Sequence, residues 1–262
     1  MNAKRITPRL FYFFSLLNFI IRKISNKMSV FFYLPALLRG QSKIKITLKN
    51  KKTFQIRDLY DLLALKEVFA DEDYFPLFRN LKRKTTLVDI GTYIGDVVIY
   101  AQQFKNIKQI ISLDPSPDNF CLAERNIEIN SVKNTTLRQL AVSDRKGSKF
   151  FFLHRNRGQN GFYGQENTSK KIKVRTITLT EISGMIKYPY TILKCDCEGA
   201  EYDILTKTKS LYLKNFNRII FEYHDEKKVA EIISRLQTIG FKTITKKHPV
   251  EDNLGIVFAR RI

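Results

Sequence analysis

Residues 194–201 read Lys-Cys-Asp-Cys-Glu-Gly-Ala-Glu. Asp196, Glu198 and Glu201 crowd with Lys194 into one short stretch, and like charges held this close shift each other's protonation. Carboxylates in a first helical turn offset the macrodipole, which excuses part of the crowding but not all of it. A second group stands at Phe221-Glu222-Tyr223-His224. Glu222 and His224 are two apart after an apolar run, so they face one cleft, and an imidazole titrating near neutrality is a natural general base. Cys195 and Cys197 invite a zinc reading, but the chain has three cysteines and three histidines and no second Cys pair. Reduced thiols and no metal are expected.

Upstream, residues 88–96 read Val-Asp-Ile-Gly-Thr-Tyr-Ile-Gly-Asp. Gly91 and Gly95 permit a sharp strand-to-helix turn and close ligand approach. Their spacing is neither a P-loop nor GxGxxG, so a phosphate cradle and a dinucleotide are not indicated. Asp89, at the strand end, can accept hydrogen bonds from a cationic or amino-bearing ligand. Asp114, before Pro115 and 19 residues after Gly95, suits the two hydroxyls of a ribose. In Leu140-Ala141-Val142-Ser143-Asp144, small and apolar residues could flank a purine, with Asp144 or a main-chain group meeting its amino group. Asp144-Arg145-Lys146-Gly147 also reads as a plain turn.

Each group falls where an apolar run ends and a helical pattern begins. The pattern predicts strands over 87–90, 109–113, 136–140, 191–195 and 218–221. Helices are expected over 94–104, 117–130, 199–206 and 226–239. Further strands are expected over 149–153 and 172–177, and a closing hairpin over 241–246 and 255–259. Ahead of these, 43–48 and 53–57 read as a hairpin, and Asp58 as the cap of a helix reaching Ala70. Repeated βαβ units imply an α/β fold: a mostly parallel twisted sheet with a C-terminal antiparallel hairpin and helices on both faces. Ligands of such sheets sit beyond the carboxyl ends of the strands. The 262 residues, 44% hydrophobic, supply one good-sized core plus an extension. Few Gly and Pro exclude collagen-like and low-complexity classes. An odd, sparse cysteine count excludes a disulfide scaffold and favours a reducing compartment, here the cytoplasm.

The charge is lopsided. Lys and Arg number 46 against 25 Asp and Glu, for a net +21, and 13 basic residues precede the first acidic one, Asp58. Leu10 to Ile21 is apolar but shorter than the ~20 residues a membrane span needs. Ser15, Asn18, Arg22 and Ser29 recur at helical spacing, with Phe11, Phe14, Leu17, Ile20 and Ile21 on the other side. Such a helix fits an anionic membrane interface, at the inner face for a cytoplasmic chain. Packing on the core or on a partner is the alternative. No small-residue cleavage site supports a signal peptide. The domain boundaries follow: 1–40 a basic amphipathic segment, 41–84 a lead-in hairpin and helix, 85–262 the α/β domain that carries the strand-end residues.

Together these strand ends resemble class I S-adenosylmethionine-dependent methyltransferases and, more narrowly, the FkbM family. The matching pieces are VDIGTYIGD (88–96), LDPSPDNFCLAERNIEIN (113–130), LAVSD (140–144), KCDCEGAEYDIL (194–205) and FEYH (221–224). The fourth is the most specific. Similarity runs from about residue 53 to the C-terminus. The family commonly has Glu where Asp114 stands and Ala-Asn where Thr92-Tyr93 stand. The resemblance implies a Rossmann-like fold, S-adenosyl-L-methionine as cofactor, and transfer of a methyl group to a hydroxyl of a sugar, a glycan or lipid-linked glycan, or a secondary metabolite. It implies Asp89, Gly91 and Gly95 around the cofactor's amino-acid end, with Tyr93 adding bulk beside it. Asp114-Pro115 would lie at the ribose and Ser143-Asp144 near the adenine. Asp196, Glu198 and Glu201 would line the reacting end opposite Glu222 and His224, with Asp196, Glu198 or His224 as base. Phe162 and Tyr163, central in the polar stretch 155–171, could cover a carbohydrate acceptor. Two alternatives stand beside this. A nucleic-acid methyltransferase fits the basic charge, but lacks an Asn/Asp-Pro-Pro-aromatic segment after the fourth strand. A catalytically silent membrane-surface or partner-binding module would merely keep the fold.

Overall fold

The computed structural model describes residues 8–40, 43–154, 157–162, 168–249, 251 and 253–262. Three helices come first, α1 (Pro8–Lys23), α2 (Lys27–Phe32) and α3 (Leu34–Leu38). An antiparallel hairpin of β1 (Ile44–Thr47) and β2 (Thr53–Ile56) follows, then α4 (Leu59–Phe69) and the short α5 (Phe75–Phe78). Asp58 caps α4 by accepting from the Tyr60 and Asp61 backbone N–H groups. The alternating part is β3 (Thr85–Ile90), α6 (Asp96–Ala101), β4 (Ile107–Leu113), α7 (Pro117–Ile129) and β5 (Thr135–Arg138). Next come β6 (Ala141–Val142), β7 (Gly147–His154), β8 (Thr168–Ile177) and α8 (Leu179–Ser183). The chain ends with β9 (Tyr190–Cys195), α9 (Glu201–Lys207), α10 (Ser210–Leu213), β10 (Arg218–Tyr223), α11 (Glu226–Thr238), β11 (Phe241–Lys247) and β12 (Gly255–Arg261).

The main sheet has seven strands in the order β11-β12-β10-β9-β3-β4-β5. From β10 to β5 all pairs are parallel; β12 and β11 are antiparallel. Sequence order reverses between β3 and β9, so the crevice for a ligand lies beyond their carboxyl ends. This is the Rossmann-like class I methyltransferase fold that the sequence implies.

Strand alternation divides the core in two. Leu87, Ile110, Ile192 and Ile220 point to one face, under α4, α6 and the N-terminal helices. Val88, Ile111, Leu193 and Ile219 point to the other, with Leu179, Ile204 and Ile232. With both faces covered, the strands are buried nearly end to end.

Three differences from the expected elements have simple causes. The strands at 147–154 and 168–177 leave the main sheet and form a three-stranded sheet with β6. α2, α3, α5, α8 and α10 have six or fewer residues, too few to show a period. In α1, Phe19 and Ile20 are buried, whereas Phe13, Phe14 and Ile21 are exposed. Of the apolar face expected, Ile20 is thus buried while Phe14 and Ile21 stay exposed. Residues 10–21 are apolar almost all round, so the docking site on α4, not the helical period, selects the buried side.

Candidate active site

One row beyond Leu87, Ile110 and Ile192, their face of the sheet turns polar. Asp89, Ser112 and Lys194 are cross-strand neighbours in β4-β3-β9. Ser112 Oγ donates to Asp89 Oδ2 at 2.8 Å. Lys194 is buried, and its ammonium lies 3.6 Å from Asp89 Oδ1 and 3.4 Å from Asp196 Oδ2. It also donates to the carbonyls of Ile90 and Gly91, at 3.3 and 2.5 Å. It therefore ties the ends of β3 and β9 together while countering two buried carboxylates. Burial alone would drive off its proton, but Asp196 and Asp89 outweigh burial and keep it charged.

Gly91 makes the crossing possible. Its φ is +78°, and a Cβ there would lie 1.6 Å from the Asp196 carbonyl oxygen. Asp196 is further held by Tyr74, whose hydroxyl donates to Oδ2 at 2.8 Å. Burial disfavours its charge, yet Lys194 and Tyr74 prevail and hold it below the usual carboxylate range. Glu222 and Glu198 go the other way: burial and repulsion from Asp196 push both well up. Glu198 Oε2 lies 3.3 Å from His224 Nε2. Glu198 itself has φ +59°, a strained backbone for a non-glycine residue.

A cavity of about 1360 Å³ opens at this point. Gly91, Tyr93, Asp114, Pro115, Asp196, Glu198, Glu222, His224 and Phe162 all line it. It exceeds the ~300–1,000 Å³ of a single-ligand pocket, so it has room for two molecules side by side. Asp114 accepts from the Tyr93 and Ser116 N–H groups, both at 2.9 Å. A carboxylate has about four acceptor sites, so capacity remains for two ligand hydroxyls. Leu140, Ala141 and Val142 form an apolar stretch of the wall.

Other expected residues lie elsewhere. Asp89 is beneath the wall, fully buried, with Oδ1 lacking a hydrogen bond. Gly95 caps α6 and packs on Ala123. Ser143 donates to Asp144, and Asp144 is engaged by Lys149 at 2.7 Å, whose hydrogen bond lowers its pKa to about 2. Neither is among the residues that line the cavity, whereas the apolar residues before them are. Glu201 bends back to accept from the Cys197 and Gly199 N–H groups at 2.5 and 2.7 Å, closing its own loop. Tyr163 lies outside the described residues. The Cys195 and Cys197 sulfurs are 4.0 Å apart, one in the core and one on the cavity wall.

Sequence reasoning left Lys194 without a role and missed Tyr74 and Glu67. Lys194 was legible as the residue two before Asp196, hence on its face. Tyr74 and Glu67 arrive from outside the βα repeat, and nothing in their local sequence marks them. The loop that brings Phe162 to the wall depends on Gly161, where a Cβ would come 2.6 Å from the Glu198 carbonyl oxygen.

The chain is similar to several known proteins. "Methyltransferase 1" of Beauveria bassiana (strain ARSEF 2860) is 22% identical over 208 residues, covering 70% of this chain and 81% of that protein. Among solved structures, an rRNA methylase from Streptococcus thermophilus aligns at a TM-score of 0.46 and 11% identity, over 71% of this chain and 92% of that one. The ribosomal protein L11 methylase of Lactobacillus delbrueckii subsp. bulgaricus aligns at 0.44 and 14%, over 72% and 76%. The methyltransferase FkbM domain matches residues 89–243, more than half of the chain. The protein therefore belongs to the FkbM methyltransferase family and is an S-adenosylmethionine-dependent enzyme.

Proposed function

We propose that this enzyme methylates a hydroxyl group of a sugar-containing or secondary-metabolite acceptor, a glycan or lipid-linked glycan included, with His224 as general base and Glu198 as its partner. The observation that carries the reading is the Glu198–His224 pair at 3.3 Å on the wall of the cavity that also holds Gly91 and Asp114.

The residues suit the cofactor. At Gly91, on the cavity wall, any Cβ would strike the Asp196 carbonyl oxygen, so glycine is what lets the ends of β3 and β9 meet there. Asp114 has acceptor capacity for a ribose, and Leu140–Val142 offer an apolar strip for a purine. The acidic lining, with Asp96, Asp196 and Glu67, favours a cation. When bound, S-adenosylmethionine supplies an electrophilic methyl group on a positively charged sulfur.

An alcohol holds its proton about as tightly as water, pKa ~15.7, so a base must take it as the new bond forms. His224 receives it on the ring nitrogen not engaged by Glu198, and Glu198, ionised above its raised pKa, steadies the imidazolium. Asp196, held ionised by Lys194, adds negative charge to the wall and fixes the ends of β3 and β9. His224→Ala is expected to lower kcat by ~10²–10⁴-fold with donor affinity unchanged. Mass spectrometry of candidate glycans and lipids after incubation with methyl-labelled donor reads this directly. Turnover left intact by His224→Ala, Glu198→Gln and Asp196→Asn alike would remove the assignment.

A pH dependence follows from the lining. Burial raises Asp114 to about 6 and Asp96 to about 7. Glu67 opens onto the cavity but is walled by protein, and this surrounding, with Asp73 and Asp196 nearby, raises it to about 8. Each carboxyl is neutral below its folded pKa, so the pull on a cation grows as pH rises through this range. Going from about pH 5.5 to about pH 8.5, the preference for S-adenosylmethionine over S-adenosylhomocysteine, whose sulfur is uncharged, should rise ~10-fold or more, 1.36 kcal/mol per decade. Calorimetric titration of both ligands across the range tests it; a flat ratio contradicts it. The ligand-free protein should lose stability over the same range. A folded pKa above the unfolded one contributes stability below the unfolded value, and that contribution is lost as pH rises through the folded one.

A further inference from the structure

We infer that the face built by α1, α2 and α3 docks on an anionic lipid bilayer and that the active-site cavity opens at its edge. Phe13, Phe14, Met28, Phe32 and Leu38 are 60, 56, 73, 78 and 65% exposed. Ile21, Phe31, Tyr33 and Leu34 are exposed beside them in the chain. So many large apolar side chains left in water within one short segment mark an interaction surface.

The same segment carries exposed Arg22, Lys23, Lys27 and Arg39, none of which pairs with a described acidic residue. The chain places no acidic residue before Asp58. Apolar side chains with uncompensated cations are what an anionic interface binds. A second copy would bring these cations face to face, and a nucleic acid would leave the phenylalanines wet. No described helix is long and apolar enough to cross a membrane, so the contact is interfacial.

The surface is preset rather than loose. Phe19, Ile20, Ile24, Val30 and Leu37 are buried in the core that also holds Leu87 and Ile192 of the sheet. The Tyr12 hydroxyl donates to Glu251 at 2.5 Å, and its ring stacks on His248 at 5.8 Å, fixing α1 to the loop between β11 and β12. Phe13 and Leu38 belong both to the exposed patch and to the cavity wall. The mouth therefore lies against the bilayer. On the reading of the cavity as a methyl-transfer site, the acceptor is then a membrane amphiphile whose hydroxyl-bearing head enters past these two residues.

Flotation with vesicles of phosphatidylcholine and phosphatidylglycerol, and of phosphatidylcholine alone, tests the docking without methyl donor. The protein should float with the anionic vesicles and much less with the neutral ones. Phe14→Ser with Phe32→Ser, both off the cavity wall, should weaken binding ~100-fold, roughly tenfold per buried phenylalanine. Arg22→Gln, Lys23→Gln and Lys27→Gln together should also weaken it about 100-fold and flatten its salt dependence. All these side chains are exposed, so melting temperatures should not change, and His224→Ala should float like the unaltered protein. No flotation with anionic vesicles overturns the proposal. So does unaltered binding by both variants, or a halving of the solution mass by Phe14→Ser with Phe32→Ser, which would make the patch a subunit interface.

Discussion

Gly91→Ala should abolish measurable donor binding and lower turnover by ~10²-fold or more, because the reacting geometry tolerates little displacement. A Cβ at this position would sit 1.6 Å from the Asp196 carbonyl oxygen, and that neighbour is backbone, not a side chain free to swing aside. The ends of β3 and β9 must separate to admit it. Separation breaks the Asp196 N–H to Ile90 carbonyl bond, 3.1 Å long, and moves Lys194 off the Gly91 carbonyl. Calorimetry with the donor and steady-state rates check it. Gly240→Ala is the control: φ is +99° there too, but nothing lies within 4 Å of the added Cβ. It should cost only backbone strain, ~1–2 kcal/mol, and leave donor affinity alone. Unaltered donor binding by Gly91→Ala would show that the strand ends are not part of the donor site.

Lys194→Met should destabilise the fold by ~3–5 kcal/mol, the cost of leaving buried charge without its partner. Asp89 is fully buried, and its Oδ1 has no hydrogen bond. Lys194 is the cation facing it. For a chain this size the loss corresponds to a fall in melting temperature of roughly 6–20 °C. Adding Asp89→Asn removes one orphaned charge, so the double variant should be more stable than Lys194→Met alone. A double variant no better than the single one would mean that Lys194 acts on the carbonyls and Asp196, not on Asp89. The donor should stabilise Lys194→Met less than it stabilises the unaltered enzyme, since the crevice is no longer drawn together.

Most strand ends were legible because two simple periods specify them. Side chains alternate along a strand, so Asp196 had to face away from Cys195, and Glu222 had to share its side with His224. Asp144 shows where this runs out. Its sequence neighbours said ligand or turn; Lys149, on the next strand, decided for a surface ion pair. The resemblance places Glu201 at the reacting end, and in the structure its carboxylate accepts from two N–H groups of its own loop. A carboxylate goes to the strongest donors in reach, and sequence spacing does not say which donors those are.

The parallel sheet, the crevice after residues 90 and 195, and the polar residues strung along the strand ends can all be read from the order of the residues. These depend on short-range periodicity and on the rule that parallel strands end on one side. That Lys194 stands between Asp89 and Asp196, and that Tyr74 and Glu67 join them, emerges from the packed fold. It alone set Phe13, Leu16 and Leu37 on the cavity wall. Those contacts join residues far apart in the chain. They depend on which apolar face each helix finds to bury, and α1, apolar almost all round, carried no record of that choice.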